Sequence, residues 1–445
     1  MKRILFIQAL ALISALSFFS CSDDDSNESS QAGNENQESS YYYLKNKYKL
    51  NVVKDEVPAF NPDLYKADNI TEEGKEVVDA INGFSFKLFK KGFATRGNKE
   101  NTFLSPYSVQ QVLSPLSNGA SGQTFQELMD AMEYEGSLDD YNAGNRTLTN
   151  LLEKSLKDCR FEVGNALWVD LGMQVYQSYV STIRNFYDSE VFALDFGADD
   201  AGKHINSWCA DKTHDLITKL VDDGPLPWTM MLANAVYFKA GWRAPFDEAL
   251  TRKDKFTNTD GTKTDVDMMS RNESQGLSYA ALEDMEVLKI PFTDSFSMMV
   301  FLPHEGVSLA GCVNGMDKEA WSHITASLKE TMVKAYLPKF SITQDTGLND
   351  ILRSMGIQKV FEIGADLSRI GPSCGPLSSL KQSAVINVDE KGTEAAAVTI
   401  GTVGANIDPV EEKEFVEFKV NRPFMFAIFD HSTGAILFLG AVNEL

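Results

Sequence analysis

Residues 387–405, NVDEKGTEAAAVTIGTVGA, constrain this chain more than any other stretch. The segment opens on an acidic, polar hinge, Asp389-Glu390-Lys391-Gly392-Thr393-Glu394. Ala395-Ala396-Ala397 and Val398-Thr399-Ile400 follow, and the first proline after Glu390 is Pro409. Alanine and glycine disfavour an isolated strand. As a surface loop, the run is too apolar and too small to bind anything strongly. It suits a segment with two conformations, an exposed loop and a strand inserted between two strands of an existing sheet. Insertion needs every backbone N–H free to pair, which excludes proline. It also needs small side chains on the face that slides over a packed core. At period two, Thr393, Ala395, Ala397, Thr399 and Gly401 share one face, and none is large or charged. Glu394 falls on the other face. These residues by themselves also allow an Ala-rich surface loop or a short helix.

The chain has 445 residues, room for two or three ordinary domains or one large unit. With 41 Lys and Arg against 63 Asp and Glu, its formal charge of −22 argues against a nucleic-acid backbone as partner. Residues 1–20 read as a targeting segment. Lys2 and Arg3 precede an apolar run, 4–19, too short for a comfortable membrane span. Ser20-Cys21 at its end resembles a bacterial lipoprotein signal, which implies lipidation of Cys21 and a membrane anchor there. An ordinary secretory signal cut elsewhere is the alternative. Residues 21–70 read as a polar, acidic tether. The acidic run Asp23-Asp24-Asp25 resembles the surface-export signal of Bacteroidetes lipoproteins, so the expected location is the outer membrane, facing outward. A periplasmic or secreted protein is the alternative. Cys159, Cys209, Cys312 and Cys374 form no CxxC or zinc spacing and are expected as free, mostly buried thiols.

Helical periodicity starts at Thr71, with Val77, Val78, Ile81, Phe84, Leu88 and Phe89 three to four residues apart. From there to Leu445 no linker or repeat interrupts the chain, so residues 71–445 are expected to form one domain. The part up to about residue 220 is mainly helical, with a strand at 161–170. Strands are expected at 230–238, 287–290, 297–302, 332–337 and 415–420, and a closing hairpin joins 424–430 to 436–442. Helices first and strands later is the α+β pattern. Pro115 should kink or end its helix early.

Ten or so short motifs, in order, resemble the serpins, the serine-protease-inhibitor superfamily. They include Asn101-Thr102-Phe103-Leu104-Ser105-Pro106, Gly119-Ala120-Ser121-Gly122, Asn165-Ala166-Leu167-Trp168 and Asn206-Ser207-Trp208. The run from Leu232 to Trp242 (LANAVYFKAGW), then Leu337-Pro338-Lys339-Phe340, Met355-Gly356-Ile357, Ala365-Asp366-Leu367-Ser368, Asn421-Arg422-Pro423-Phe424 and Phe438-Leu439-Gly440-Ala441-Val442, complete the set. The resemblance implies a mainly helical N-terminal part, three β-sheets and an exposed reactive-centre loop at about 390–412. It makes Glu390, Lys391, Gly392, Thr393, Glu394, Ala395, Ala396 and Ala397 the hinge. It places Ser105, Ser108, Asn234 and Gln382 in a polar cluster under the gap where the sheet opens, and Trp242 at the top of the sheet. Gln382 stands where the family often has a histidine. Counting from Glu390 puts the reactive bond at Asn406–Ile407, with cleavage after Ala405 as the alternative. The implied partner is a serine or cysteine protease, trapped as a covalent acyl complex by a monomeric inhibitor without cofactor or metal.

Enzyme motifs offer little competition. Ser378-Ser379-Leu380-Lys381 satisfies S-x-x-K, but no S-D-N or K-T-G partner follows. His204, His214, His304, His323 and His431 include no H-E-x-x-H pair. A serpin fold acting only as a binding or scaffold lipoprotein is the second reading. A glycan- or peptide-binding lipoprotein of unrelated fold is the third.

Overall fold

The first long helix forms where a cap meets an apolar stripe. The Thr71 hydroxyl accepts from the Gly74 N–H at 3.1 Å, and Glu72 and Glu73 sit in the first turn, where carboxylates suit the helix dipole. This helix, Glu72–Thr95, buries Val77, Ile81, Phe84, Leu88 and Phe89 along one side. The computed structural model describes residues 48–97, 99–154, 158–272, 276–393 and 415–445, all within one compact unit, Glu38–Leu445.

Among the described residues, three large sheets and a small two-stranded pair account for the strands. The sheet that carries the site has six. Its order is Phe340–Gly347, Ser379–Val388, the two-residue strand Gly392–Thr393, Met230–Gly241, Arg160–Asp170 and Glu190–Leu194. A seven-stranded sheet holds the closing hairpin Phe424–Asp430 and Ile436–Val442, and a four-stranded one begins with Val416–Lys419 beside Val333–Pro338. The expected α+β arrangement is the observed one.

The Met230–Gly241 strand (MMLANAVYFKAG) is buried on both faces, which explains its nearly unbroken apolar run. Val236, Phe238 and Ala240 face the main core, where the Phe238 ring lies 5.6 Å from that of Phe438. Ala233 and Ala235 face a second core under the helix Ala201–Lys212, with Trp168, Phe192, Trp208, Ile217, Leu220 and Val221. The sheet is therefore sandwiched, and anything inserted beside this strand must pass beneath that helix and the segment after it.

Two expectations need correcting. Of the kink or early end expected at Pro115, the early end is not seen: the helix runs Pro106–Gly119, with nearly every side chain buried. Packing on all sides offsets the one helical hydrogen bond that proline cannot make. The tether also ends sooner than residue 70. Asn51–Val53 pairs in parallel with Gln174–Tyr176, and the Asp55 carboxylate accepts from the Ser178 N–H at 2.8 Å. The rings of Phe60 and Tyr65 then pack on Phe186, at 5.2 and 5.5 Å. Residues 48–70 are thus an arm laid along the domain. It joins at the foot of the six-stranded sheet, since the Asp170 N–H just before Gln174 bonds to Thr229, next to the start of Met230–Gly241.

Candidate functional site

At the head of that sheet the chain turns back on itself. The Ser379–Val388 strand ends in a turn closed by Asp389, whose carboxylate accepts from the Lys391 and Gly392 N–H groups at 2.8 and 3.1 Å. Gly392 and Thr393 then run antiparallel between the two central strands, opposite Gly241 and Ala240 on one side, with Thr393 opposite Val388 on the other. Gly392 has φ 147°, and a Cβ there would lie 2.0 Å from the Ala240 carbonyl oxygen, so only glycine fits. Thr393 is fully buried. Its hydroxyl accepts from the Ala240 N–H at 2.9 Å and lies 3.3 Å from the Ala240 carbonyl, to which it can donate.

Below this point the sheet changes partners. Ser379–Ala384 pairs directly, in parallel, with Met231–Val236. Three residues on each strand separate the last parallel pair, Ala384 and Val236, from Thr393 with its neighbours Val388 and Ala240. The sheet is closed at mid-height and begins to accept a third strand at its head.

Trp242 covers the head. Its indole is fully buried and stacks on Phe292 at 4.3 Å, and its N–H donates to the Asp389 carbonyl at 2.9 Å. The Trp242 and Phe246 backbone N–H groups hold the Lys391 and Glu390 carbonyls, each at 2.8 Å. The Glu390 carboxylate meets the Lys339 ammonium at 2.8 Å and accepts from the Thr251 hydroxyl at 2.8 Å. Burial pushes the Glu390 carboxyl up, but the bonds from Lys339 and Thr251 outweigh it, and the net displacement is downward. The same hydrogen bond raises Lys339.

At mid-height, directly beneath the last paired rungs, lies a wholly buried neutral cluster. Gln382 and Asn234 are register partners, and Gln382 Nε2 donates to Asn234 Oδ1 at 3.0 Å. The Gln382 amide also accepts from the Ser105 N–H at 3.0 Å and donates to the Ser105 carbonyl at 2.9 Å. The Ser108 hydroxyl donates to Asn234, and Asn234 Nδ2 donates to Asn165 Oδ1 at 2.8 Å. Four separate chain segments meet here, and their polar groups satisfy one another.

A sheet with a two-residue strand wedged between its central strands at one end finds its counterpart in known proteins. Residues 79–445 match the family model "Serpin (serine protease inhibitor)". The chain belongs to the serpin family. An uncharacterised serpin-like protein of Thermococcus kodakarensis is 33% identical over 381 residues, covering 84% of this chain and 87% of the relative. Among solved structures, human thyroxine-binding globulin superposes with TM-score 0.76 at 27% identity, over 84% of this chain and 99% of that one. The thermophilic serpin tengpin in its native state superposes with TM-score 0.74 at 27% identity, over 90% of this chain and 99% of that one. Serpins are in general protease inhibitors.

The structure thus brings together Ser105, Ser108, Asn234 and Gln382, and sets Trp242 apart from them, beside Glu390, Lys391, Gly392 and Thr393. Glu394, Ala395, Ala396, Ala397, Ala405, Asn406, Ile407 and Cys21 lie outside the described residues. Sequence reasoning missed Asn165 as a cluster member, Lys339 and Thr251 as partners of Glu390, and Asp389 as the turn-former. An acidic residue directly after a strand and three before a Gly-Thr pair was the available signal for Asp389.

The enzyme-like spacings serve structure in this serpin. Lys381 of the S-x-x-K motif donates to the Leu220 carbonyl at 3.1 Å. Gly371-Pro372-Ser373-Cys374-Gly375, which fits the G-x-S-x-G spacing, lies in irregular chain with no strand leading in and no helix leading out. Cys159, Cys209, Cys312 and Cys374 are free, and burial pushes the first two up to about 12 and the others up to about 11. None is poised as a thiolate nucleophile.

Proposed function

We propose that this serpin is a suicide-substrate inhibitor of extracellular serine or cysteine proteases. One observation carries the reading: Gly392 and Thr393 already stand between the two central strands, in a register that an incoming strand can continue. A protease nucleophile attacks the loop at Asn406–Ile407, or after Ala405, and the amine of the downstream residue leaves. The loop remains esterified to the enzyme, or thioesterified for a cysteine protease. The freed segment extends the strand begun at Thr393, pairing on both sides. Each new ladder bond contributes about 1 kcal/mol net, so a full strand supplies on the order of 10 kcal/mol with its apolar burial. That free energy drags the acylated protease along the sheet, distorts its oxyanion hole and stalls deacylation.

The test mixes the soluble chain from Tyr48 with neutrophil elastase, cathepsin G, subtilisin and papain on denaturing gels. A band at the summed mass that survives boiling in detergent is expected, and its released peptide should begin within 405–409. Cleavage with no such band and no gain in heat stability would leave a non-inhibitory binding or scaffold role.

We also propose a lipid anchor at Cys21 on a bacterial outer membrane, facing outward. The arm supports this orientation, because it meets the sheet at the foot while the hinge is at the head. Cys21→Ser should move the protein from the membrane pellet to the soluble fraction. Equal partitioning of both forms would remove the anchor.

A further inference from the structure

The segment that follows helix Ala201–Lys212 is fastened to the sheet by an unusual backbone and one histidine. His214 and Asp215 both have positive φ, 51° and 63°, two successive non-glycine residues in a region that L side chains avoid. The turn is fixed by the Asp215 N–H donating to Ala210 at 2.8 Å. It delivers the His214 imidazole onto a cross-strand pair. Glu162 and Tyr237 are register partners on the two adjacent strands, Arg160–Asp170 and Met230–Gly241. His214 Nε2 lies 2.8 Å from Glu162 Oε2, and its ring packs 4.5 Å from that of Tyr237.

The location matters more than the bond. An incoming strand that continues the Gly392–Gly241 and Thr393–Ala240 register meets Lys239, Phe238 and then Tyr237 before it reaches the closed Ala384–Val236 rung. His214 sits over Tyr237, on the face under the helix. The segment it pins is held further on by Lys381 to the Leu220 carbonyl and packs Ile217, Leu220 and Val221 on Ala233, Ala235 and Val385, across the gap itself.

We propose that His214 is a pH-sensitive latch. It holds this segment down on the sheet and slows strand insertion in acid. Protonated, the imidazole forms a charge-assisted bond to Glu162; neutral, it keeps an ordinary hydrogen bond. The groups facing it are mixed. Glu162 is in direct contact, Asp211, Lys212 and Asp215 flank the imidazole along the chain, and Arg160 and Lys239 form the next cross-strand pair up that face of the sheet. Lys212 is itself paired with Glu190 at 3.1 Å. Contact between His214 and Glu162 is direct, so protonation strengthens the latch. Because the segment must lift for insertion, a stronger latch slows insertion without altering the loop.

This inference rests on the insertion reading, and the test separates the two. The soluble chain from Tyr48 is incubated with a synthetic peptide of sequence TEAAAVTIGTVGA at pH 5.5 and at pH 8.0. Peptide insertion is followed by the rise in heat stability, with no protease present. The native chain should take up peptide about fivefold more slowly at pH 5.5. His214→Gln, which keeps a neutral hydrogen bond, and the exposed Glu162→Gln should each bring the ratio close to one. Insertion with the same pH ratio in both variants overturns the latch and leaves the inhibitor mechanism standing. Faster insertion in acid overturns it as well. No insertion at either pH, with no stabilisation on loop cleavage, overturns both.

Discussion

At the head of the gap, Glu390 and Lys339 meet as ions 2.8 Å apart, with the lysine 40% exposed. At mid-height, Ser105, Ser108, Asn234 and Gln382 meet as neutral groups, and none of them reaches water. The two places answer different demands. An ion pair at the rim can be broken and rehydrated, so it works as a catch whose release costs little once the strands begin to part. A charge at mid-height would be stranded in the core by the same motion, at a cost of several kcal/mol. Hydroxyls and amides avoid this. Each can donate and accept, so an arriving strand can be met by exchange of partners. Under the proposed insertion mechanism, the head would select what enters the sheet, and the middle would keep it closed until something does.

The sharpest way to break this contrast is Thr393→Arg. The residue is fully buried between Val388 and Ala240, and an arginine there has no partner for its charge. Inhibition should fall about a hundredfold or more, from a penalty of several kcal/mol on inserting the hinge. Cleavage of the loop should continue, and the heat-inactivation half-life should shorten as well, because Thr393 is already buried before any loop is cut. Titrating a susceptible protease and counting inhibitor molecules cleaved per complex formed checks this. If complexes persist undiminished, the head is not the gate.

Gln382→Ala should shorten the native lifetime and spare inhibition. It removes the group that joins Ser105 to Asn234 and leaves the Ser105 N–H buried without its acceptor. A cost of about 2 kcal/mol follows, which shortens the half-life of the native state roughly thirtyfold if it falls on the opening step. The hinge is untouched, so complexes should still form with freshly prepared protein. A variant that is equally long-lived would mean the cluster does not hold the sheet shut.

How far each region could be read from sequence follows from how local its signals are. The first helix was legible because Thr71 and the apolar stripe lie within one window. Within the hinge, the entry of Gly392-Thr393 into the sheet was legible because the two residues are adjacent and small, while residues 394–397 lie outside the described residues. The mid-height cluster was not, because Asn234 and Gln382 meet only through sheet register and Ser105 reaches them only through the packing of the helix it caps; family resemblance supplied it. Asn165 went unassigned for the same reason, being adjacent to Asn234 only once those strands pair. The Phe340–Gly347 strand was overlooked although its burial alternates perfectly. Two of its four inward residues are polar, since Gln344 accepts from the Phe103 N–H and donates to Thr346, and this halves the apolar signal. In the arm, three aromatic contacts outweigh a composition that otherwise reads as spacer.

The smallest expected effect tests the head as a catch. Glu390→Gln retains the hydrogen bond with Thr251 but removes the charge that Lys339 faces. With Lys339 partly in water, the loss should be about 1 kcal/mol at neutral pH. Its pH dependence has a definite sign. The Glu390 carboxyl is held below its ordinary value of 4.5 in the folded protein. Its contribution is therefore fully present above 4.5 and is lost as pH falls through the folded value. In the native chain, heat-inactivation half-lives should shorten on going from pH 6 to below pH 4.5. In Glu390→Gln, that share of the decline should be missing, and the two curves should converge in acid. Lys339→Met should reproduce most of the neutral-pH loss, and adding it to Glu390→Gln should cost little more, because each single change already breaks the pair. Additive losses would show that Glu390 and Lys339 act separately, and the head would then be held by Asp389 and Trp242 through the backbone, not by the ion pair.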